Sequence, residues 1–266
     1  MSGKSTSSQA KDTASETGAD ILPAQDDAQN LLGNSYVVAQ AQGQEHGHEH
    51  HHHHHAPEPG RTSGSGSDGR NPNSELPAAI QESLKQQVST NTATRSVVQD
   101  IITHGRGMNF KIRWSEGGGY YNGTDIFIDP EEPEEHWFGT MAHEIVHMRN
   151  DAIGREGNIR RDSREDYVNK QMEDEIECHA ICFGALIEEG KSQDGAAGYN
   201  DFLAWIQAAR PDLMSCTEEG PSGTEEIIAL AKTWLEDKYR NEWTTSNTGV
   251  NYYEYWGSAW DEFHRD

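Results

Sequence analysis

The sequence is poor in cysteine, in positive charge and in long apolar runs, and each scarcity excludes something. Three cysteines (Cys178, Cys182 and Cys216) in 266 residues are too few for a disulfide framework, so the fold must rest on buried apolar area and the thiols are expected reduced. Lys and Arg number 21 against 45 Asp and Glu, a formal net charge of −24. Without a basic stripe to neutralise phosphates, neither nucleic acid nor an anionic membrane surface is an expected partner. No apolar stretch reaches the length of a spanning helix, and the opening "MSGKSTSSQAKD" lacks the apolar core of a signal peptide. The expectation is a chain soluble where it is made.

Hydrophobic residues are 33% of the chain, thin for one domain of this length unless part of it stays unfolded. Their distribution is uneven. Residues 1–75 contain no Trp or Phe and show no sustained period, so they cannot bury enough apolar area to offset the entropy of ordering them. A disordered leader over 1–75 is predicted, with Ile21–Gln40 as its one mildly apolar patch, a candidate recognition element. Eight of the fourteen histidines crowd into His46–His55, which reads as a purification tag or a native metal-scavenging tract and in neither case as catalytic. The leader holds four Lys and Arg against ten Asp and Glu, a net of −6, leaving −18 of the total −24 on residues 76–266.

Organised structure is expected from about Asn73. Apolar residues at Ile80, Leu84 and Val88, then at Val97, Val98, Ile101 and Ile102, predict one or two helices with Ser74 as candidate cap and Gly105 as stop. "MNFKIRW" alternates as a half-buried strand, and "GGGYYNGTDIFIDP" offers a turn at Asn122-Gly123 before an apolar run. Helices are predicted at about 134–150, 164–189, 197–209 and 223–241, followed by an aromatic C-terminal piece. The layout is α+β: a small antiparallel sheet among helices.

Within the first of those later helices, "MAHEIVHMRND" carries His143 and His147 four apart with Glu144 after the first. Four residues is one turn, so both imidazoles project from one face and can meet one ion. Glu144 lies about 100° further round, beside the open side of such an ion, where a carboxylate can take a proton from water. Ile145 and Val146 point to the core and keep the site dry. A catalytic zinc takes three protein ligands and leaves one position open, so a third donor is required downstream. "QMEDEIECHAICFGALIEEG" is the richest source. Taking the stripe Met172, Ile176, Phe183 and Ile187 as the buried face, Ala180, Glu173, Gly184 and Glu177 share a flank where another helix can come close. On that wheel Asp174 points away and Glu175 lies on the opposite flank. Glu173 and Glu177 both remain open.

The stretch around His143 and His147 resembles the extended signature of zincin metallopeptidases, which Thr140, Met141, Ala142, Ile145, Val146 and Met148 suit and from which Arg149 departs. "ECHAICFGALI" is similar to the ligand helix of the gluzincin branch, in compact enzymes typified by those that cleave phage repressors. The resemblance covers residues 120–190 and implies a compact zincin-like domain over 76–266 that binds Zn2+ through His143, His147 and Glu177, with Glu144 as general base. It implies a zinc-dependent endopeptidase acting on a protein or peptide laid along the edge of the 108–129 sheet. Cys178 and Cys182 read as a thiol pair on the helix side away from Ala180. His179 reads as a core histidine or a hydrogen-bond donor to the transition state, a role for which Tyr120, Tyr121, Tyr167 and the C-terminal tyrosines also compete. A long polar leader before a compact hydrolase resembles translocated bacterial effectors or toxins, whose partners would include delivery machinery or an inhibitor protein. An intracellular regulatory protease, a zinc-fastened non-catalytic fold and an acidic interaction protein are the competing readings.

Overall fold

The structure is a computed structural model and describes residues 70–214, 223–245 and 249–265. The Ile21–Gln40 patch, the His46–His55 run and Cys216 lie outside the described residues. Two helices open the described part, α1 (Ala78–Thr90) and α2 (Thr92–Thr103). Asn91 divides them: its extended backbone ends α1, and its side chain accepts the Ala93 N–H at 3.0 Å to start α2. Ser74, the expected cap, hydrogen-bonds to the Asn71 carbonyl instead, and Pro77 stands at the start of α1.

The sheet consists of β1 (Ile112–Trp114), β2 (Tyr120–Tyr121) and β3 (Ile126–Ile128) in the order β1-β3-β2. It corrects the expectation of an antiparallel sheet, because it is mixed. β2 and β3 are antiparallel, with Tyr121 opposite Ile126, and are joined by the predicted turn, in which Asn122 Oδ1 accepts the N–H groups of Thr124 and Asp125. β1 pairs with β3 in parallel, Ile112 opposite Ile126 and Trp114 opposite Ile128. The glycine run after β1 makes this possible. Gly118 sits at φ +71°, and Gly119 lies so close to Thr140 that a Cβ there would overlap its methyl group, so β2 can cross to the far side of β3.

The helical remainder begins with a 3-10 turn at Glu134–His136 that runs into α3 (Trp137–Ala152). There follow α4 (Arg164–Glu188), α5 (Tyr199–Ala209), the short α6 (Pro211–Met214), α7 (Thr224–Asn241) and α8 (Tyr252–Phe263). α4 is the central element, since α2, α3, α7 and α8 all pack against it. α3 is sandwiched between α4 and the β2–β3 pair. Met141, Ala142, Ile145 and Val146 are fully buried in that sandwich, so the helix that bears both histidines is held on two sides. No helix among the described residues is long and apolar enough to cross a membrane.

Candidate metal centre

His143 and His147 stand one turn apart on α3, and their Nε2 atoms face one another at 3.2 Å. Both burial and the neighbouring His179 and His147 hold the His143 pKa well below the usual histidine value. Its ring is therefore neutral and offers a lone pair. Two nitrogens bound to one tetrahedral ion at 2.0–2.1 Å sit about 3.3–3.4 Å apart, and the observed separation matches that requirement. The donor chemistry fits a transition-metal ion of the imidazole-preferring kind.

The other side of His147 is also built. Its Nδ1 lies 2.7 Å from Asp174 Oδ2, so the Nδ1–H donates to the carboxylate, and Nε2, which faces His143, becomes a lone-pair donor when a metal displaces its proton. Burial weighs against the imidazolium of His147, but Cys178 and Asp174 outweigh it and hold its pKa above the usual value. Asn150 secures Asp174 in turn, its Nδ2 donating to Asp174 Oδ1 at 2.5 Å and to Glu177 Oε2 at 3.3 Å.

Glu175 completes the front of the pair. One of its carboxylate oxygens is 3.9 Å from His143 Nε2 and the other 3.8 Å from His147 Nε2, so each facing nitrogen has a carboxylate oxygen nearby. Among the described residues, two overlapping donor groups form around His143: one with His147 and Cys178, the other with Glu175 and His179. Glu144 is buried beside them and its carboxylate accepts the Tyr121 N–H of β2. Burial pushes its pKa up to about 7, with His147 pulling down and Glu175 pushing up. A carboxyl group poised near neutrality can accept and return a proton.

The structure brings together His143, Glu144 and His147 but does not bring Glu177 to them. Glu177 is held by cations: Arg149 Nη2 at 2.8 Å, Lys232 Nζ at 3.1 Å and Arg155 Nη1 at 3.2 Å. Its pKa is held below the usual carboxylate value because Arg149, Lys232 and Arg155 outweigh the effect of burial. Glu173 is exposed. α4 is turned about its axis relative to the expected orientation, so the flank of Glu173 and Glu177 does not face His143 and His147. The small-residue flank at Ala180 and Gly184 does admit a close helix, but that helix is α7: a Cβ at Gly184 would lie 2.8 Å from Ile228 Cγ1. α3 lies against the face with Asp174, Glu175, Cys178 and Cys182, the last 3.4 Å from the Gly139 carbonyl. Both described cysteines are free and buried. Asp174 and Glu175 were thus misplaced; the Glu-x-x-x-His spacing of Glu175 and His179 was the available signal.

Of the tyrosines, Tyr121 is engaged, its hydroxyl donating to Asp151 Oδ2 at 2.9 Å and paired with Arg106. Tyr120 stacks on Phe127, and Tyr167 is buried against Trp256 with its hydroxyl on Gln171. Tyr252 packs on Tyr239, and its pKa is pushed up to about 12 by burial and by the charge of Glu175. Comparison with protein-family models, with curated proteins and with solved structures yields no match.

Proposed function

We propose that the protein is a zinc-dependent endopeptidase in which His143, His147 and Glu175 hold the ion and Glu144 moves the proton. The observation that carries this reading is the facing Nε2 pair at 3.2 Å with Asp174 behind His147 and a buried glutamate alongside. When bound, zinc supplies the Lewis acidity that makes water nucleophilic near neutral pH and polarises a carbonyl. Glu144 takes the proton of the attacking water and returns it to the departing amine. Asp174 keeps His147 in the tautomer whose Nε2 is free. β2 is the edge strand on the Glu144 side of the sheet, and an extended peptide beside it would gain main-chain hydrogen bonds. The Arg149 departure supports a compact local architecture, since this arginine anchors Glu177 and with it Asn150 and Asp174.

The substrate is a protein or peptide; delivery by secretion machinery, or control by an inhibitor protein, belongs to the effector form of this proposal. Glu144→Gln tests the reading. The variant should bind one equivalent of zinc at the centre as the parent does, while cleavage of an unfolded protein substrate falls by a factor of about 100 or more. A variant as active as the parent removes Glu144 from the chemistry, and a variant that no longer holds zinc assigns it to the ligand set.

A further inference from the structure

His179 stands one turn beyond Glu175 on α4, edge-on to His143 with ring centroids 4.5 Å apart. Ligand atoms of His143, Glu175 and His179 all lie within 4.8 Å of one another. The Nδ1 of His179 is buried and has no hydrogen-bond partner. Leaving a buried polar atom unpaired destabilises the fold, and coordination to a cation removes that penalty. The ring also packs near two aromatic side chains, Phe183 at 5.9 Å and Tyr239 at 6.1 Å between centroids. Cys178, the other additional donor, is placed differently. Its Sγ lies within 4.8 Å of ligand atoms of His143 and His147 but also 4.0 Å from Asp174 Oδ1, so unlike the His179 Nδ1 it has a polar neighbour already.

We infer that His179 is a fourth protein donor, so that the resting centre is closed by His143, His147, Glu175 and His179 and admits water or substrate only when His179 withdraws. This rests on the metal reading above and adds its regulation. A metal with four protein donors is a closed site and one with three donors is an open one. A single histidine that leaves converts the first into the second without disturbing the ligands on α3.

Cobalt substitution reads the difference. The full chain takes up one equivalent of Co2+, its visible absorption is recorded, and the spectrum of His143→Ala is subtracted so that cobalt on the His46–His55 run cancels. The closed site predicts an intense tetrahedral band that stays constant from about pH 6 to 9. His179→Ala should change the band, make it pH-dependent as water enters, weaken Co2+ binding on the order of 100-fold and increase the rate of peptide cleavage. Identical spectra and affinities for parent and His179→Ala overturn the proposal, as does a thiolate-to-cobalt charge-transfer band, which would give the fourth position to Cys178. If His179→Ala does not fold, by near-ultraviolet circular dichroism, the parent decides alone: a pH-dependent band overturns the closed site. A parent spectrum no different from His143→Ala instead defeats the metal reading itself.

Discussion

At the scale of single residues, the centre is organised outward from His147 through Asp174 and Asn150 to Glu177, with cations at the far end. Each member has a distinct expected phenotype. Asp174→Asn removes the charged acceptor at His147 Nδ1 and should weaken zinc binding by about 10- to 100-fold, read by competition with a chromophoric chelator at metal substoichiometric to protein. Glu177→Gln acts differently. Side chains of Glu177 and Arg149 are only 11% and 9% exposed, so neutralising Glu177 leaves the Arg149 charge buried with only the more distant Asp100, at 3.7 Å, opposite it. That change should cost about 3 kcal/mol in urea unfolding of the metal-free chain and should reduce zinc affinity less than Asp174→Asn does. A larger affinity loss for Glu177→Gln than for Glu175→Gln would make Glu177 the third donor, as the zincin resemblance implies.

At the scale of elements, what was legible in the sequence depended on how many faces each element buries. In α2, Val97, Val98 and Ile101 are buried as their spacing predicts, whereas Ile102, grouped with them, is 48% exposed; the 3.6-residue period identified the helix and most of its inward face. His143, Glu144 and His147 were equally readable because a four-residue spacing fixes a common face without any knowledge of packing. α4 was readable as a helix but not in orientation. With α2, α3, α7 and α8 around it, nearly every flank is buried, and hydrophobic periodicity cannot say which flank meets which neighbour. The parallel β1–β3 pairing was hidden for a related reason, since only the crossing at Gly117–Gly119 reveals it and glycines carry no pattern. The α4–α7 contact offers a direct check. Gly184→Ala gains helix propensity of about 1 kcal/mol, yet its Cβ would come within 2.8 Å of Ile228 Cγ1, so a net loss of about 1–3 kcal/mol is expected. Adding Ile228→Ala should recover part of that loss, a coupling of at least about 0.5 kcal/mol in a double-mutant cycle. Strict additivity would place α7 elsewhere.

At the scale of the whole molecule, acidity and burial act together on stability. Burial lifts the Glu132 pKa to about 7, against the hydrogen bond from Thr140 and with the help of Asp194 and Asp129, and lifts Glu156 to about 8 with the help of Asp174 and Asp151. Burial likewise raises Asp194, whose backbone partners oppose it. Each carboxyl group titrates lower in the unfolded chain. Between the unfolded and folded pKa values, the folded state therefore holds more protons on these three groups, and their contribution to stability falls as pH rises. The window runs from about pH 4.5, the ordinary glutamate value, to about pH 8, the highest of the cited folded values. Self-repulsion of a chain with formal net charge −24 acts in the same direction. Metal-free protein in chelator should consequently melt lower at pH 8 than at pH 5.5, by about 5 °C for a loss near 2 kcal/mol. Zinc reverses the order at the centre, because its ligands must be deprotonated and its affinity rises with pH. The increase in melting midpoint on adding zinc should therefore be larger at pH 8 than at pH 5.5. Differential scanning calorimetry at both pH values, with chelator and with one equivalent of zinc, measures all four midpoints. A metal-free midpoint that rises toward pH 8 would mean that Glu132, Glu156 and Asp194 are already ionised in the fold, and a zinc increment independent of pH would place the ion away from titrating ligands.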